Sequence, residues 1–289
     1  MRTRFYCCIA LLSAACAGHG SQLNTGFADV SGGQLYFEER GRGPAVVLLQ
    51  GGQMPLQMWD DQFDALATHF RVVRYDARGF GRSSAKRGTF VYHDDLYELL
   101  RTLRIDRASL VGLSLGGRVA IDFALQHPTM VDRLVLAGPG LSGFHFSNTK
   151  EPWTDSARVA WAARDSNRVG LLWLESGYMK PAMRDSALAS RLRRLTALNA
   201  SLWMQRDSEI DMTPPAIERL AEIRAPTLVI LGGLDIPDIR AITDTLLRMV
   251  PGARRVVIED AGHMVNMEKP ATFNRALLSF LGASPADPP

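Results

Sequence analysis

A serine in a glycine-rich turn is the residue of this sequence best placed to do chemistry. Ser114 is the centre of a Gly-x-Ser-x-Gly motif over residues 112–116, between an apolar run at 109–113 and a helical pattern. A serine on a tight strand-to-helix turn adopts a strained backbone conformation, so it needs small neighbours on both sides. The motif therefore predicts a nucleophilic hydroxyl raised above the edge of a sheet, over the N-terminus of the following helix.

A serine hydroxyl becomes a good nucleophile only when a base removes its proton and a third group orients that base. His263 is the predicted base, because it follows a glycine in a loop after a strand that is predicted to be buried. Asp235 is the predicted acid, since it stands just past the preceding strand. Asp238 is the alternative, but it follows Pro237 and is better interpreted as a helix start.

Two backbone N–H groups are expected to bind the negative oxygen that develops during acyl transfer. One belongs to Leu115, the residue directly after Ser114. The other is expected in the loop after the strand at 45–49, where two successive glycines allow a close backbone approach. Gly52 is the favoured second donor, and Gln53 is the alternative.

The elements that must position these residues alternate between strands and helices. Segments 27–30 and 35–39 predict an opening hairpin. Apolar runs typical of buried parallel strands follow at 45–49, 70–75, 109–113, 133–138, 227–232 and 255–258. Helical periodicity is found at about 93–103, 238–249 and 270–281. The sequence thus predicts an α/β fold in which a mostly parallel central sheet is flanked by helices.

Between about 141 and 215 the strand signals vanish. Leucines recur there at steps of three and four, the stripe of an amphipathic helix: Leu188, Leu192, Leu195, Leu198 and Leu202. Packing between helices explains most of this segment, and we expect it also to cover the site as a helical cap. His145, near its start, is a candidate substrate contact. The predicted divisions are a signal peptide at 1–16, a core at 17–140 and 216–289, and a cap at 141–215.

The amino-acid composition and the motifs indicate which kinds of molecule the protein binds. Of 289 residues, 46% are hydrophobic and 22% are charged, and the net charge of +3 comes largely from two arginines near the N-terminus. Without a basic block the sequence gives no sign of nucleic-acid binding. It has no recognisable spacing of metal ligands and no phosphate-binding glycine loop. We therefore predict a small-molecule substrate, no metal and no cofactor, and leave the oligomeric state open.

The N-terminus resembles a secretory signal. Two arginines precede an apolar run at 5–17, which is too short to span a bilayer. Residues 12–16 resemble a bacterial lipobox with serine where leucine is usual, so that Cys16 would be lipidated; ordinary cleavage after Ala17 is the alternative. The other cysteines, Cys7 and Cys8, lie in the same segment, so the mature body has no internal disulfide and no thiol nucleophile. We expect an exported protein that is periplasmic, membrane-anchored or secreted.

Taken together, these motifs resemble the α/β-hydrolase superfamily over about residues 27–283. The matching segments are Gln-Gly-Gly-Gln at 50–53, Asp-x-Arg-Gly-x-Gly-x-Ser at 76–83, Gly-x-Ser-x-Gly-Gly at 112–117, Gly-x-Asp at 233–235 and Gly-His at 262–263. Gln50 stands where the family usually has histidine. Within the family, the segment at 76–79 is expected to buttress loops near the site without a chemical role.

The resemblance implies a hydrolase of small esters or lactones that works through an acyl-serine. Hydrolysis of a carbon–carbon bond in a diketone-like substrate is an alternative that the same triad supports. A ligand receptor or signalling protein is another, since some members of the superfamily act mainly by binding. Serine at position 114 argues against haloalkane dehalogenases and epoxide hydrolases, which use aspartate there.

Overall fold

The computed structural model describes residues 22–147, 152–199 and 209–283. The predicted signal segment, with Cys7, Cys8 and Cys16, lies outside the described residues, and so does Leu202. Within the described ranges, no helix combines the length and the apolar character needed to cross a membrane.

The described residues form an eight-stranded sheet. Its strands are β1 Asn24–Val30, β2 Gly33–Arg40, β3 Ala45–Leu49, β4 Arg71–Tyr75, β5 Ala108–Leu113, β6 Val131–Ala137, β7 Thr227–Gly232 and β8 Arg254–Ile258. They lie in the order β1-β2-β4-β3-β5-β6-β7-β8. Strand β2 pairs antiparallel with both β1 and β4, and all other neighbours are parallel. The predicted hairpin and the mostly parallel sheet are confirmed.

Helices lie beside the sheet and in the segment between β6 and β7. They are α1 Asp60–Ala67, α2 Tyr92–Thr102, α3 Leu115–Gln126, α4 Pro152–Ala162, α5 Ser166–Trp173, α6 Ser186–Leu198, α7 Pro237–Met249, α8 Val265–Glu268 and α9 Pro270–Leu281. Strand β3 shows why both faces need covering. Val47 and Leu49 belong to one apolar cluster, which includes buried residues of α2, α3 and α7. Val46 and Leu48 belong to another, on the side of α1 and α9. The period-two alternation of a strand thus buries apolar side chains on both faces.

The expectation that 255–258 is a buried strand is wrong. Strand β8 lies at the edge of the sheet and pairs only with β7. Its first two residues are exposed, the next two are half-buried, and only Ile258 is buried. A run of apolar residues predicts a strand, but it does not tell whether a second strand covers its outer edge.

The leucine stripe is correct only in part. On α6, Leu192 and Leu195 are buried, whereas Leu198 is 63% exposed. Asn199, which is fully buried, takes the next inward position. With 3.6 residues per turn, two turns beyond Leu192 fall close to residue 199, so the inward face ends on the asparagine.

Candidate active site

The strand-to-helix turn at Ser114 has the strained geometry that the motif predicts. Ser114 has φ +53° and ψ −112° and precedes the first residue of α3. A positive φ is rare for a residue other than glycine, so the surrounding contacts must hold it. The Ser114 N–H donates to the Ala137 carbonyl at 3.0 Å, and the Gly140 N–H donates to the Ser114 carbonyl at 2.9 Å.

The glycines of the motif permit this close packing. A Cβ atom at Gly112 would lie 2.2 Å from the carbonyl oxygen of Gly116, which is far inside van der Waals contact. Strand β5 and the first turn of α3 can therefore meet only if residue 112 lacks a side chain. The observation gives the physical reason for the predicted small neighbours.

His263 and Asp235 form a buried pair. Nδ1 of His263 lies 2.9 Å from Oδ2 and 3.2 Å from Oδ1 of Asp235. Both residues are 4% exposed. Asp235 follows β7 and His263 follows β8, and these neighbouring parallel strands bring their C-terminal loops together. Such a carboxylate can hold one tautomer of the ring and leave the other ring nitrogen free to act as a base.

A glycine that the sequence analysis did not single out packs against this pair. Gly138 follows β6 and has φ +44°. A Cβ atom there would lie 3.0 Å from Oδ2 of Asp235 and 3.2 Å from Nδ1 of His263. Any larger residue would therefore press on the hydrogen bond between them. The signal in the sequence was a glycine at the C-terminal end of a predicted buried strand.

Asp238, the alternative acid, is used elsewhere. Its Oδ1 accepts from the backbone N–H of Ser147 at 3.1 Å, and its Oδ2 accepts from the Ser147 hydroxyl at 2.7 Å. It lies in the first turn of α7 after Pro237, as predicted for a helix start. The carboxylate that the fold brings to His263 is that of Asp235.

Ser114 and His263 line the same cavity, which has a volume of about 120 Å³. Its lining consists of Gly51, Gly52, Gln53, Leu113, Ser114, Trp173, Tyr178, His263 and Met264. Trp173 and Tyr178 come from the segment between β6 and β7, and the Tyr178 ring centroid lies 4.8 Å from that of His263. His145, the candidate substrate contact, is exposed and is not part of this lining. Among the described residues, this lining includes no Asp, Glu, Lys or Arg side chain.

The loop after β3 lies beside the first residue of α3. A Cβ atom at Gly52 would be 3.7 Å from Cβ of Leu115, so the two predicted N–H donors are close neighbours. Gln53, the alternative donor, has φ +67°. Its carbonyl accepts from Nδ2 of Asn199 at 3.2 Å, and Oδ1 of Asn199 accepts from the Gly81 N–H at 2.8 Å. A buried side chain 146 residues away thus ties this loop to the one at 76–83, a contact that no local sequence signal predicts.

Gln50, which stands where the resembled family usually has histidine, is 2% exposed. Neither its side-chain oxygen nor its nitrogen has a hydrogen-bond partner among the described residues.

The 76–83 loop is held by buried hydrogen bonds, which fits the expected buttress. Asp76 accepts from the Leu56 N–H at 2.8 Å and from the Arg82 N–H at 2.9 Å. Burial raises the pKa of Asp76, and these two amides oppose that rise. Arg78 pairs with Asp95 through two hydrogen bonds of 2.8 and 2.6 Å. Across the described ranges, no three His, Cys, Asp or Glu side chains are grouped so as to hold a metal.

The sequence matches the model of the alpha/beta hydrolase fold family over residues 44–270. RutD of Agrobacterium fabrum, named provisionally as a carbamate hydrolase, is 30% identical, with 88% of this chain and 99% of RutD aligned. The 2-hydroxy-6-oxo-6-phenylhexa-2,4-dienoate hydrolase of Comamonas testosteroni is 28% identical, with 88% and 93% aligned.

Comparison with solved structures points to the same family. A hydrolase from Pseudomonas aeruginosa is 33% identical and superimposes with a TM-score of 0.71, covering 90% of this chain and 99% of that one. An enol-lactonase from Burkholderia xenovorans is 27% identical with a TM-score of 0.73, covering 89% and 100%. The chain therefore belongs to the alpha/beta hydrolase fold family.

Proposed function

We propose that this hydrolase cleaves small esters or lactones through an acyl-serine intermediate, with Ser114 as nucleophile, His263 as base and Asp235 as the acid that orients the base. The observation that carries the proposal is the buried His263–Asp235 pair, whose histidine shares a cavity with the strained Ser114. An enzyme of this class uses these three side-chain types in these roles.

In the proposed reaction, the Ser114 oxygen attacks the substrate carbonyl carbon and its proton passes to His263. The resulting oxyanion is bound by the backbone N–H groups of Gly52 and Leu115, each worth on the order of 10²–10³ in rate. Collapse of the tetrahedral intermediate breaks the bond to the leaving alcohol, which takes the proton from His263. Water then attacks the acyl carbon and gives a proton to His263. The bond between that carbon and the Ser114 oxygen breaks, the oxygen takes the proton from His263, and the acid product leaves.

The cavity supports a small, uncharged acyl group. Its volume of about 120 Å³ is well below the range of about 300–1,000 Å³ for drug-sized ligands, and no Asp, Glu, Lys or Arg in the part of the chain that the structure describes lines it. Trp173 and Tyr178 supply aromatic walls from the segment between β6 and β7. We propose that this segment acts as a cap and sets substrate size. The enol-lactonase among the similar structures is consistent with a lactone as the natural substrate.

Carbon–carbon bond hydrolysis is the second candidate, because one relative is named as a hydrolase of a phenylhexadienoate. A dienoate carries a carboxylate, which proteins usually bind through arginine or lysine. Within residues 22–147, 152–199 and 209–283, neither an arginine nor a lysine lines this cavity. That absence from the lining favours the ester or lactone over the dienoate.

A substrate panel tests the proposal. Nitrophenyl acetate, butyrate and octanoate, small lactones and a 2-hydroxy-6-oxodienoate are compared as substrates of the protein and of its Ser114→Ala variant. We expect turnover of the short esters or lactones, a fall in kcat/KM with acyl length, and loss of turnover in Ser114→Ala. Turnover of the dienoate alone would favour carbon–carbon cleavage. Saturable binding without turnover would favour a receptor.

We also propose that the protein is exported and anchored to a membrane through lipidated Cys16. The support is the basic start followed by the short apolar run and the Leu-Ser-Ala-Ala-Cys segment of the sequence. Expression of the whole chain in a bacterial host, followed by membrane fractionation and intact-mass measurement, tests this. A lipid-sized mass increment that Cys16→Ala removes is expected; an unmodified chain beginning at Gly18 would establish ordinary cleavage instead.

A further inference from the structure

A second carboxylate, that of Glu268, holds the loop that carries His263. Oε2 of Glu268 accepts from the backbone N–H of Gly262 at 2.9 Å, and Oε1 accepts from the N–H of Met264 at 3.1 Å. These are the amides on either side of the histidine. Each oxygen of Glu268 thus accepts from a backbone donor, and such bonds are stronger to an ionised carboxylate than to a neutral carboxyl group.

The charge of Glu268 is coupled to the buried pair. Burial raises the pKa of Glu268, and the negative charge of Asp235 adds to that rise. The amides of Gly262 and Met264 and the ring of His263 act in the opposite direction. The ring of His263 and the carboxylate of Asp235 thus both act on the charge of Glu268.

The loop has little room to adjust. A Cβ atom at Gly262 would lie 2.5 Å from Cγ of Pro181, so the segment between β6 and β7 packs directly on the loop. The Tyr178 ring lies against the His263 ring from the same segment. With neighbours on these sides, the direction of the imidazole depends on the backbone that Glu268 holds. A misplacement of about 1 Å in such a site can cost about 10²-fold in rate.

We propose that Glu268 is a positioning residue for His263: it fixes the two peptide groups beside the base and its charge stabilises the imidazolium formed during acyl transfer. The inference rests on the proposed roles of Ser114, His263 and Asp235. It adds a residue outside the triad on which the rate and its pH dependence depend.

Other charged groups share the surroundings of Glu268. Asp235 and His263 face it from the interior. A groove on its outer side is lined by further charged residues: Asp61, Arg184, Asp185, Arg191, Arg194, Asp260 and Lys269. Asp260 is the useful control among them. It precedes His263 by three residues, its side chain is 72% exposed, and it pairs with Lys269.

The test compares Glu268→Gln with Asp260→Asn. Glutamine has nearly the same shape but only one acceptor oxygen, so one of the two amides faces an NH₂ group. For Glu268→Gln we expect kcat to fall by up to about 10²-fold with little change in KM. We expect the acid limb of the pH–rate profile to move to lower pH, because a charge that favours the imidazolium is gone. Asp260→Asn should leave both unchanged.

An NMR titration of the His263 ring nitrogens in ¹⁵N-histidine-labelled protein gives a readout without turnover. We expect a lower midpoint in Glu268→Gln than in the unaltered chain, because a nearby negative charge favours the imidazolium. Glu268→Asp keeps the charge on a shorter side chain, so its midpoint should return toward the original while kcat stays reduced. If Glu268→Gln does not fold, Glu268→Asp and Asp260→Asn still decide the matter.

Three results would overturn the proposal. The first is a Glu268→Gln variant that is less stable but keeps its kcat and its titration midpoint, because Glu268 would then have a purely structural role. In another, Asp260→Asn moves the midpoint equally, which is a general charge effect. In the third, Glu268→Asp has full kcat. Full activity of Ser114→Ala is a different failure: it refutes the proposed function, and the titration midpoint then still tests the coupling of Glu268 to His263.

Discussion

Oδ2 of Asp235 lies 2.9 Å from Nδ1 of His263, and 28 residues of sequence separate the two. Both residues are buried, and His263 lines the cavity together with Ser114. A buried carboxylate that accepts from an imidazole N–H both fixes the tautomer and stabilises the imidazolium. Because Asp235 contacts His263 and Asp238 contacts Ser147, substituting each aspartate in turn tests which one is the acid.

Asp235→Asn should keep the fold and KM but lose kcat by as much as about 10⁴-fold, because asparagine favours the wrong tautomer and cannot stabilise the imidazolium. Asp238→Asn is the matched control. It should stay within about two-fold of the unaltered chain, since asparagine accepts a hydrogen bond from Ser147 and suits a helix start about as well. Steady-state kinetics on a short nitrophenyl ester provide the measurement. A crippled Asp238 variant beside a healthy Asp235 variant would reverse the assignment.

A fluorophosphonate should label Ser114 and no other serine. The backbone of Ser114 is strained, and Ser114 lines the cavity together with His263. Ser147, by contrast, is exposed and is hydrogen-bonded to Asp238. Intact-mass spectrometry and peptide mapping locate the adduct. Labelling should vanish in Ser114→Ala and persist in Ser147→Ala. An adduct that survives Ser114→Ala would contradict the assignment of the nucleophile.

Asn199→Asp should slow the reaction, although Asn199 is not among the residues that line the cavity. Aspartate can still accept from the Gly81 N–H, but it places an oxygen against the Gln53 carbonyl instead of a donor. The loop that carries Gly52 is then less well held, so we expect kcat to fall by up to about 10²-fold with a smaller change in KM. Asn167→Asp, an exposed asparagine on α5, is the control. Equal kinetics in the two variants would show that the Asn199 bridge does not support the loop.

Asp122 should make stability depend on pH. Burial raises the pKa of Asp122 to about 6, and the positive charge of Arg118 opposes the rise. The folded state then holds the proton more tightly than the unfolded state, whose carboxyl titrates near its ordinary value. The contribution of Asp122 is therefore fully favourable at low pH and is lost as the pH rises from about 4 through about 6.

Asp122→Asn cannot ionise, so its free energy of unfolding should fall less between pH 4 and 7 than that of the unaltered chain, by about 1–3 kcal/mol. Urea unfolding at several pH values measures the difference. Asp64→Asn removes an exposed carboxylate and should leave the pH dependence unchanged. The same slope for Asp122→Asn and the unaltered chain would contradict the raised pKa.

Local patterns predicted most of the elements because the physics behind them is local. The apolar run of β3 is buried on both faces, and the predicted bounds of β3, β7 and α9 match the structure. The strained turn at Ser114 followed from a short motif, and so did the helix start predicted at Asp238, which lies one residue after the observed first residue of α7. In these places the residues that determine the conformation are close together in sequence.

Contacts between distant segments decided the rest. The exposure of β8 depends on its place at the edge of the sheet, and that of Leu198 on where the inward face of α6 ends. The bridge from Asn199 to Gln53 and the packing of Gly138 on the acid–base pair join segments far apart in sequence. The sequence by itself determined which residues could do the chemistry. Only the tertiary structure decided which neighbours hold them, because a hydrogen bond between distant segments leaves no period or motif in either one.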